Sequence, residues 1–189
     1  RDQRCNHRDS YFYNAYDRLQ TSEPGSPFLE TNPPPSHLVI PLLFRNLMRG
    51  ETYGIEASAN WNVSHNWKVR AGYSFLRMQL HRYPTSRDTV SEGAEGQSPR
   101  HQFQFHSLLN LPQHFDFDAS LYHVSPLATD RIPSYTRVDV RLGWRFHENI
   151  ELSGVVQNLF DTQHLESLGN GVTSSEARRG TYGKLTWRF

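Results

Sequence analysis

Ten histidines, a scatter of arginines and a good supply of serine and aspartate are the residues here that could do chemistry. His101, His106, His114, His123, His147 and His164 follow no HxxxH or comparable spacing. A metal centre needs ligands that converge from such spacings, so these histidines are read as wall or surface residues and no metal site is expected. Serine, histidine and aspartate together suit a hydrolase, but no GxSxG occurs and no serine sits in an activating turn. The chain is therefore read as no enzyme, and no cofactor is expected. Arg70, Arg137, Arg141, Arg145 and Arg188 fall on the inward, polar faces of alternating strands. Unpaired, they would line an anion path. The favoured reading is that they pair across neighbouring strands, because unpaired charge is costly away from bulk water.

The elements that must position these side chains are strands. In Tyr135 to Phe146, Thr136, Val138, Val140, Leu142, Trp144 and Phe146 take one face, and Arg137, Asp139, Arg141, Gly143 and Arg145 take the other. Such alternation marks a strand, since side chains flip faces at every residue. The chain turns at His147-Glu148-Asn149 and alternates again from Ile150 to Gln157, then once more from Thr181 to the terminal Phe189. Upstream, the pattern is clean from Tyr53 to Val63, from Trp67 to Phe75, from His101 to Leu111 and from Phe115 to Leu121. Asp9 to Gln20 is an aromatic strand of ambiguous facing. Leu38 to Phe44 is apolar, and Pro41 confines it to an irregular or edge position.

The connections alternate. They run long at 21–37, short at 64–65, long at 82–100, short at 112–114, long at 125–134, short at 147–149 and long at 159–179. Eight antiparallel strands with all long loops at one end fit an up-and-down transmembrane β-barrel section with short periplasmic turns and long extracellular loops. On that reading both Arg1 and Phe189 lie on the periplasmic side. With 189 residues, one domain is expected. Lys plus Arg number 20 against 19 Asp plus Glu, so the charge balance gives no reason to invoke nucleic acid. Aromatics reach 13%, as expected where rings sit at a membrane interface. The lone Cys5 excludes an internal disulfide.

Two segments then carry a resemblance. VQNLFD at Val156 to Asp161, followed after a loop by YGKLTWRF at Tyr182 to Phe189, resembles the C-terminal signature of TonB-dependent outer-membrane receptors of the siderophore-receptor type. RGETYGIE at Arg49 to Glu56 and PSYTRVDVRLGWRF at Pro133 to Phe146 are similar to barrel repeats of that family. The resemblance implies residence in the bacterial outer membrane and a place in TonB-dependent uptake of a chelated nutrient, such as a ferric siderophore. It implies as partners the membrane lipid, the outer-membrane assembly machinery, the TonB system and a small-molecule chelate. The family's plug domain and TonB box have no counterpart in residues 1–189, so the chain is read as the C-terminal part of such a barrel, unable to transport alone. The chain opens on Arg1 with no signal-peptide pattern, which fits a piece of something longer or a mature form. Arg100, Arg131, Arg178 and Arg179, in or beside the long loops, are the expected contacts to an anionic substrate. Asn158, Phe160, Asp161, Leu185, Trp187 and Phe189 are expected to serve strand termination and barrel assembly. The alternatives left open are a self-contained eight-stranded anchor or adhesin and a soluble β-sandwich or lipocalin-like binder.

Overall fold

Alternation of the kind seen in Tyr135 to Phe146 needs neighbours on both edges, because each strand exposes a row of N–H and C=O groups. The computed structural model describes residues 5–161, 163–167 and 175–189. It meets that need with one antiparallel sheet of eight strands. In chain order the strands are β1 (Cys5–Pro24), β2 (Phe28–Glu30), β3 (His37–Val39), β4 (Leu42–Asn62), β5 (Trp67–Arg82), β6 (His101–Leu111), β7 (Phe115–Val124), β8 (Tyr135–His147), β9 (Ile150–Gln157), β10 (Gln163–Ser167), β11 (Ser175–Arg178) and β12 (Gly180–Trp187). The main sheet runs β1-β4-β5-β6-β7-β8-β9-β12. The short pairs β2-β3 and β10-β11 are separate two-stranded hairpins inside long connections. Arg1, together with residues 162 and 168–174, lies outside the described residues.

Every consecutive pair in the main sheet is antiparallel and in continuous register over its middle. One row reads Tyr11, Ile55, Phe75 and His101, and the next reads Ser10, Glu56, Ser74 and Gln102. Apolar rows alternate with polar rows through the middle of the sheet, and this sets the facing of the first strand, although Asp9 falls in the apolar row of Ala57, Tyr73 and Phe103. Phe12 stands on the polar side, over Gly54, where an added Cβ would lie 2.1 Å from the Phe75 carbonyl oxygen and 2.6 Å from the Phe12 ring. No residue but glycine fits there. Tyr11 and Tyr13 take the opposite, apolar side.

The apolar side is not a core. Leu142, Leu152, Leu185 and Trp187 are 50%, 49%, 66% and 69% exposed. Among the described residues the buried hydrophobic side chains are Met48, Leu80 and Ile132, all near the long-loop end. A water-soluble sandwich would have to bury one whole face of this sheet, so the sandwich and lipocalin-like alternatives do not fit. An apolar face meeting lipid and a polar face lining a lumen do. Among the described residues no ladder joins β1 to β12, so the sheet is open rather than closed into a small barrel.

Several boundaries differ from expectation. The first strand is longer than Asp9 to Gln20, and β4 begins at Leu42, eleven residues before the alternation becomes readable at Tyr53. The reason lies in pairing. The strand continues past an irregularity where Arg18 has a φ of 56°, so Thr21 through Pro24 still pair with Arg45 through Leu42. The register shift there destroys the simple two-residue period. The expected loop 21–37 thus holds the end of β1 and the β2-β3 hairpin, and 82–100 holds a short 3-10 turn at Ser91–Gln97.

The separation of faces makes a direct prediction. Spin labels at positions 138, 140 and 142 should report lipid, and labels at 139 and 141 should report water. Replacing Val140 with arginine should cost about 2–4 kcal/mol of folding free energy near the bilayer midplane. Water access at 138, 140 and 142 would invert the wall.

Candidate functional site

At the short-turn end the polar face is a belt of ion pairs. Asp118 on β7 holds Arg141 on β8 at 2.7 Å, and Arg141 also bonds Glu151 on β9. Glu151 lies 3.9 Å from Arg188, just beyond β12, and Arg145 lies 3.4 Å from Asp116. Pairing between strands, the favoured reading of these arginines, holds for Arg141, Arg145 and Arg188. It does not hold for Arg70, which makes no ion pair among the described residues. Arg137 pairs within its own strand, gripping Asp139 through Nε and an NH2 group at 2.9 and 2.7 Å.

Two grooves open on this face. One, of about 590 Å³, lies between Lys68, Arg70, Asn110, Asp116 and Arg145. The other, of about 620 Å³, lies between Arg8, Glu56, Ser74, Gln104 and Tyr122. Among the described residues no three His, Cys, Asp or Glu side chains are grouped closely enough to hold a metal ion. The side chain of His164 lies outside the described residues.

The long-loop end is built around carboxylates that the sequence did not single out. Strand β5 outlasts its neighbour β6, whose pairing stops at Phe75 opposite His101. The amides beyond must find other acceptors. Leu76 N donates to the Arg100 carbonyl at 3.0 Å, Leu80 N to the Glu95 carboxylate, and Arg82 N to Glu92 Oε1 at 2.9 Å. Glu92 also pairs with the Arg82 guanidinium at 3.0 Å.

On the β1 side, buried Asp88 accepts from Ser22 N at 2.6 Å, Val90 N at 2.7 Å, Ser91 N at 2.9 Å and the Ser91 hydroxyl. Buried Glu23 accepts from the Ser86 hydroxyl and Arg87 N, both at 2.6 Å. Burial works to raise the Asp88 carboxyl, but the Ser91 hydroxyl and the three amides outweigh it and hold the group well below the usual carboxylate range. The Ser86 hydroxyl does the same for Glu23, and Arg82 N leads in lowering Glu92. The turn D-T-V-S at 88–91, an aspartate accepting amides two and three residues on, is the one local signal that would have pointed here.

The expected loop arginines share this end without sharing a pocket. The exposed side chain of Arg100, just before β6, makes no hydrogen bond or ion pair among the described residues. Arg131 is exposed, has a φ of 53° and sits beside buried Ile132, whose bridge to Leu127 pins the turn. Arg178, at the end of β11, lies 3.5 Å from Glu176. Arg179 instead donates from Nε to the Asn158 carbonyl at 3.3 Å. Neither groove is lined by any of the four.

The signature residues divide in two. Asn158 is buried, ends β9 with a φ of 54°, and donates its amide to Asp139 Oδ1 at 2.9 Å. Asparagine tolerates that left-handed backbone better than most residues. Its side chain donates to the Ala177 carbonyl at 3.4 Å, and Leu159 N bonds the Val138 carbonyl at 2.8 Å. Asn158 therefore ties β8, the end of β9 and the base of the β10-β11 hairpin together. Phe160 is 78% exposed, and Asp161 accepts from Gln163 N at 3.2 Å. Leu185, Trp187 and Phe189 lie exposed on the apolar face, the last two rings edge to face at 6.3 Å.

With this geometry in place, comparison with known proteins is direct. The family described as TonB dependent receptor-like, beta-barrel, matches residues 6–159. Among solved structures, the chain is similar to the ferric-catecholate import receptor Fiu of E. coli, with a TM-score of 0.68 at 18% identity, over 97% of this chain and 25% of that one. It is similar to the ferripyoverdine receptor of the outer membrane of Pseudomonas aeruginosa, with a TM-score of 0.65 at 14% identity, over 98% and 25%. The copper transporter OprC matches with a TM-score of 0.66 at 16% identity, over 98% and 29%. The chain spans about a quarter of the length of these structures.

The knot around Asp139 yields a prediction. Asp139→Ala removes the acceptor of both Arg137 and the Asn158 amide, and should lower stability by about 1–3 kcal/mol. Urea titration of the receptor in detergent, followed by tryptophan fluorescence, would show an unchanged midpoint if the knot were ornamental.

Proposed function

Since the chain belongs to the TonB dependent receptor-like β-barrel family, we propose that it forms the C-terminal wall of a receptor importing a scarce nutrient as an anionic metal chelate, a ferric siderophore or similar iron complex. The family is one of outer-membrane transporters rather than enzymes, and the chain resides in the bacterial outer membrane. Uptake on this reading draws energy from the TonB system through a plug domain, and the eight strands form about a third of a roughly 22-stranded wall. The two iron-receptor relatives support an iron complex as cargo, and the copper transporter marks the nearest variation.

The observation that carries the reading is the distribution of charge at the long-loop end. Glu23, Asp88, Glu92 and Glu95 are each occupied by main-chain amides. Arg100 and Arg131 are exposed with no such engagement, and Arg178 is exposed on the last connection beside Glu176. A guanidinium binds carboxylate, catecholate or phosphate oxygens through charge-assisted bonds, each stronger than a neutral pair.

Reversing Arg100 and Arg131 to glutamate in the full-length receptor should weaken capture of an anionic ferric catecholate by at least about tenfold, the scale of one charge-assisted bond. Capture of an uncharged ferric hydroxamate should stay unchanged. Equal losses for both chelates, or none for either, would sink the charge-based reading. Deleting Phe189 tests the assembly role proposed for Leu185, Trp187 and Phe189. Insertion into the outer membrane should fall sharply, while a serine at Asp130 in a long loop leaves insertion intact. Similar insertion of the two variants would take the terminal aromatic residue out of assembly.

A further inference from the structure

The connection between β5 and β6 is long enough to be a flap, yet carboxylates bonded to main-chain amides supply much of its hold on β1 and β5. Glu95 and Glu92 occupy the edge of β5 where a strand would otherwise lie. Asp88 and Glu23 lock its first half to the end of β1. Its far side is stitched to the next connection: Thr129 N donates to the Gly96 carbonyl at 3.2 Å and the Thr129 hydroxyl to the Gly93 carbonyl. The fit at that seam is close. A Cβ on Gly96 would lie 2.7 Å from Thr129 N, so only glycine allows the approach. Beneath the cover, Met48 and Leu80 are buried, and the Leu19 and Leu80 side chains close over Gly50.

We infer that residues 83–100 form a carboxylate-locked cover over the β1-β4-β5 side of the mouth, shut at neutral pH and released by acid. The lock depends on ionised oxygens because a protonated carboxyl loses acceptor strength and gains a proton that the main-chain amides cannot accept. The charged groups facing it are few. Asp88 sees Glu23 from β1; Glu92 sees Arg82 and His81 from β5; Tyr83, at the cover's root, bonds Asp17 of β1 near Arg18 and Arg49. Asp88, Glu23 and Glu92 are all held below their ordinary values, so the stability they add is fully present above the usual carboxylate range. It is lost as pH falls through the lowered values, and no part of it is lost on the alkaline side.

Paired spin labels at Val90, which is 76% exposed on the cover, and at Ser64 in the opposite short turn report the state, with Cys5 replaced by serine. In the full-length receptor in nanodiscs at about pH 7.5 the distance distribution should be narrow. As pH is lowered to about 1.5, with the β-sheet circular-dichroism signal retained, it should broaden at least about twofold and recover on neutralisation. Asp88→Asn should give the broad distribution already at about pH 7.5. If that variant fails to insert, the Glu92→Gln, Glu95→Gln pair should show release at a higher pH than the parent. A distribution that is broad at neutral pH, or that stays narrow in acid, overturns the inference.

Discussion

A wall one sheet thick leaves no room for an unanswered peptide group. In hydrocarbon an unpaired N–H or C=O costs several kcal/mol and no water is at hand to relieve it. That constraint explains the registers between β4 and β12, continuous through the middle of each pair, and it also explains where the structure becomes irregular. The sheet can be left only above the membrane, and there the chain replaces a departing neighbour with something else that accepts. For β5 the substitutes are the Arg100 carbonyl and the carboxylates of Glu95 and Glu92. For the end of β1, the substitute is Asp88. At the close of β9 it is Asp139, which takes the amide of Asn158 while holding Arg137.

The same constraint governs charge. One face of the sheet is apolar and exposed, so in β7, β8 and β9 every Asp, Glu and Arg stands on the other face, and crowding there makes pairing natural. Asp118, Arg141, Glu151 and Arg188 connect four strands in succession. Such partly exposed pairs add little stability individually. Their larger effect is on register, since slipping any one strand by a residue would turn its charges into lipid.

The middle of the wall was legible in the sequence because there each residue has one neighbour above, one below and a face to choose. Val138, Val140 and Leu142 against Arg137, Asp139 and Arg141 needed no more than a period of two. The short turns at 112–114 and 147–149 stood out for the same reason, as breaks in a regular pattern. Legibility fails where tertiary partners replace periodicity. Residues 42–52 are strand because β1 continues beside them, not because LLFRNLMRGET alternates. The cover over β5 was read as plain loop because Glu92, Glu95 and Asp88 bond amides 10, 15 and 66 residues away in the chain, or belong to a turn only four residues long. Asn158 was assigned to ending a strand and stands just past β9, yet its partner Asp139 looked like one more charge on a polar face. Arg179 was grouped with the capture residues, while its guanidinium is turned to the Asn158 carbonyl.

Strand length falls across the sheet, from 20 and 21 residues in β1 and β4 through 16 in β5 and between 10 and 13 in β6, β7 and β8 to 8 in β9 and β12. At about 3.3 Å per residue, the tall side outreaches the low side by roughly 40 Å of strand. Only about ten residues are needed to cross the membrane, so nearly all of that excess stands outside it. The rim is therefore stepped, like a collar cut on the bias. Over β1 and β4 the wall stands as a tall screen whose connection carries the β2-β3 hairpin, whereas over β9 and β12 the main sheet stops low and the β10-β11 hairpin sits in the connection instead. This arc of the rim thus has a heading as well as a height.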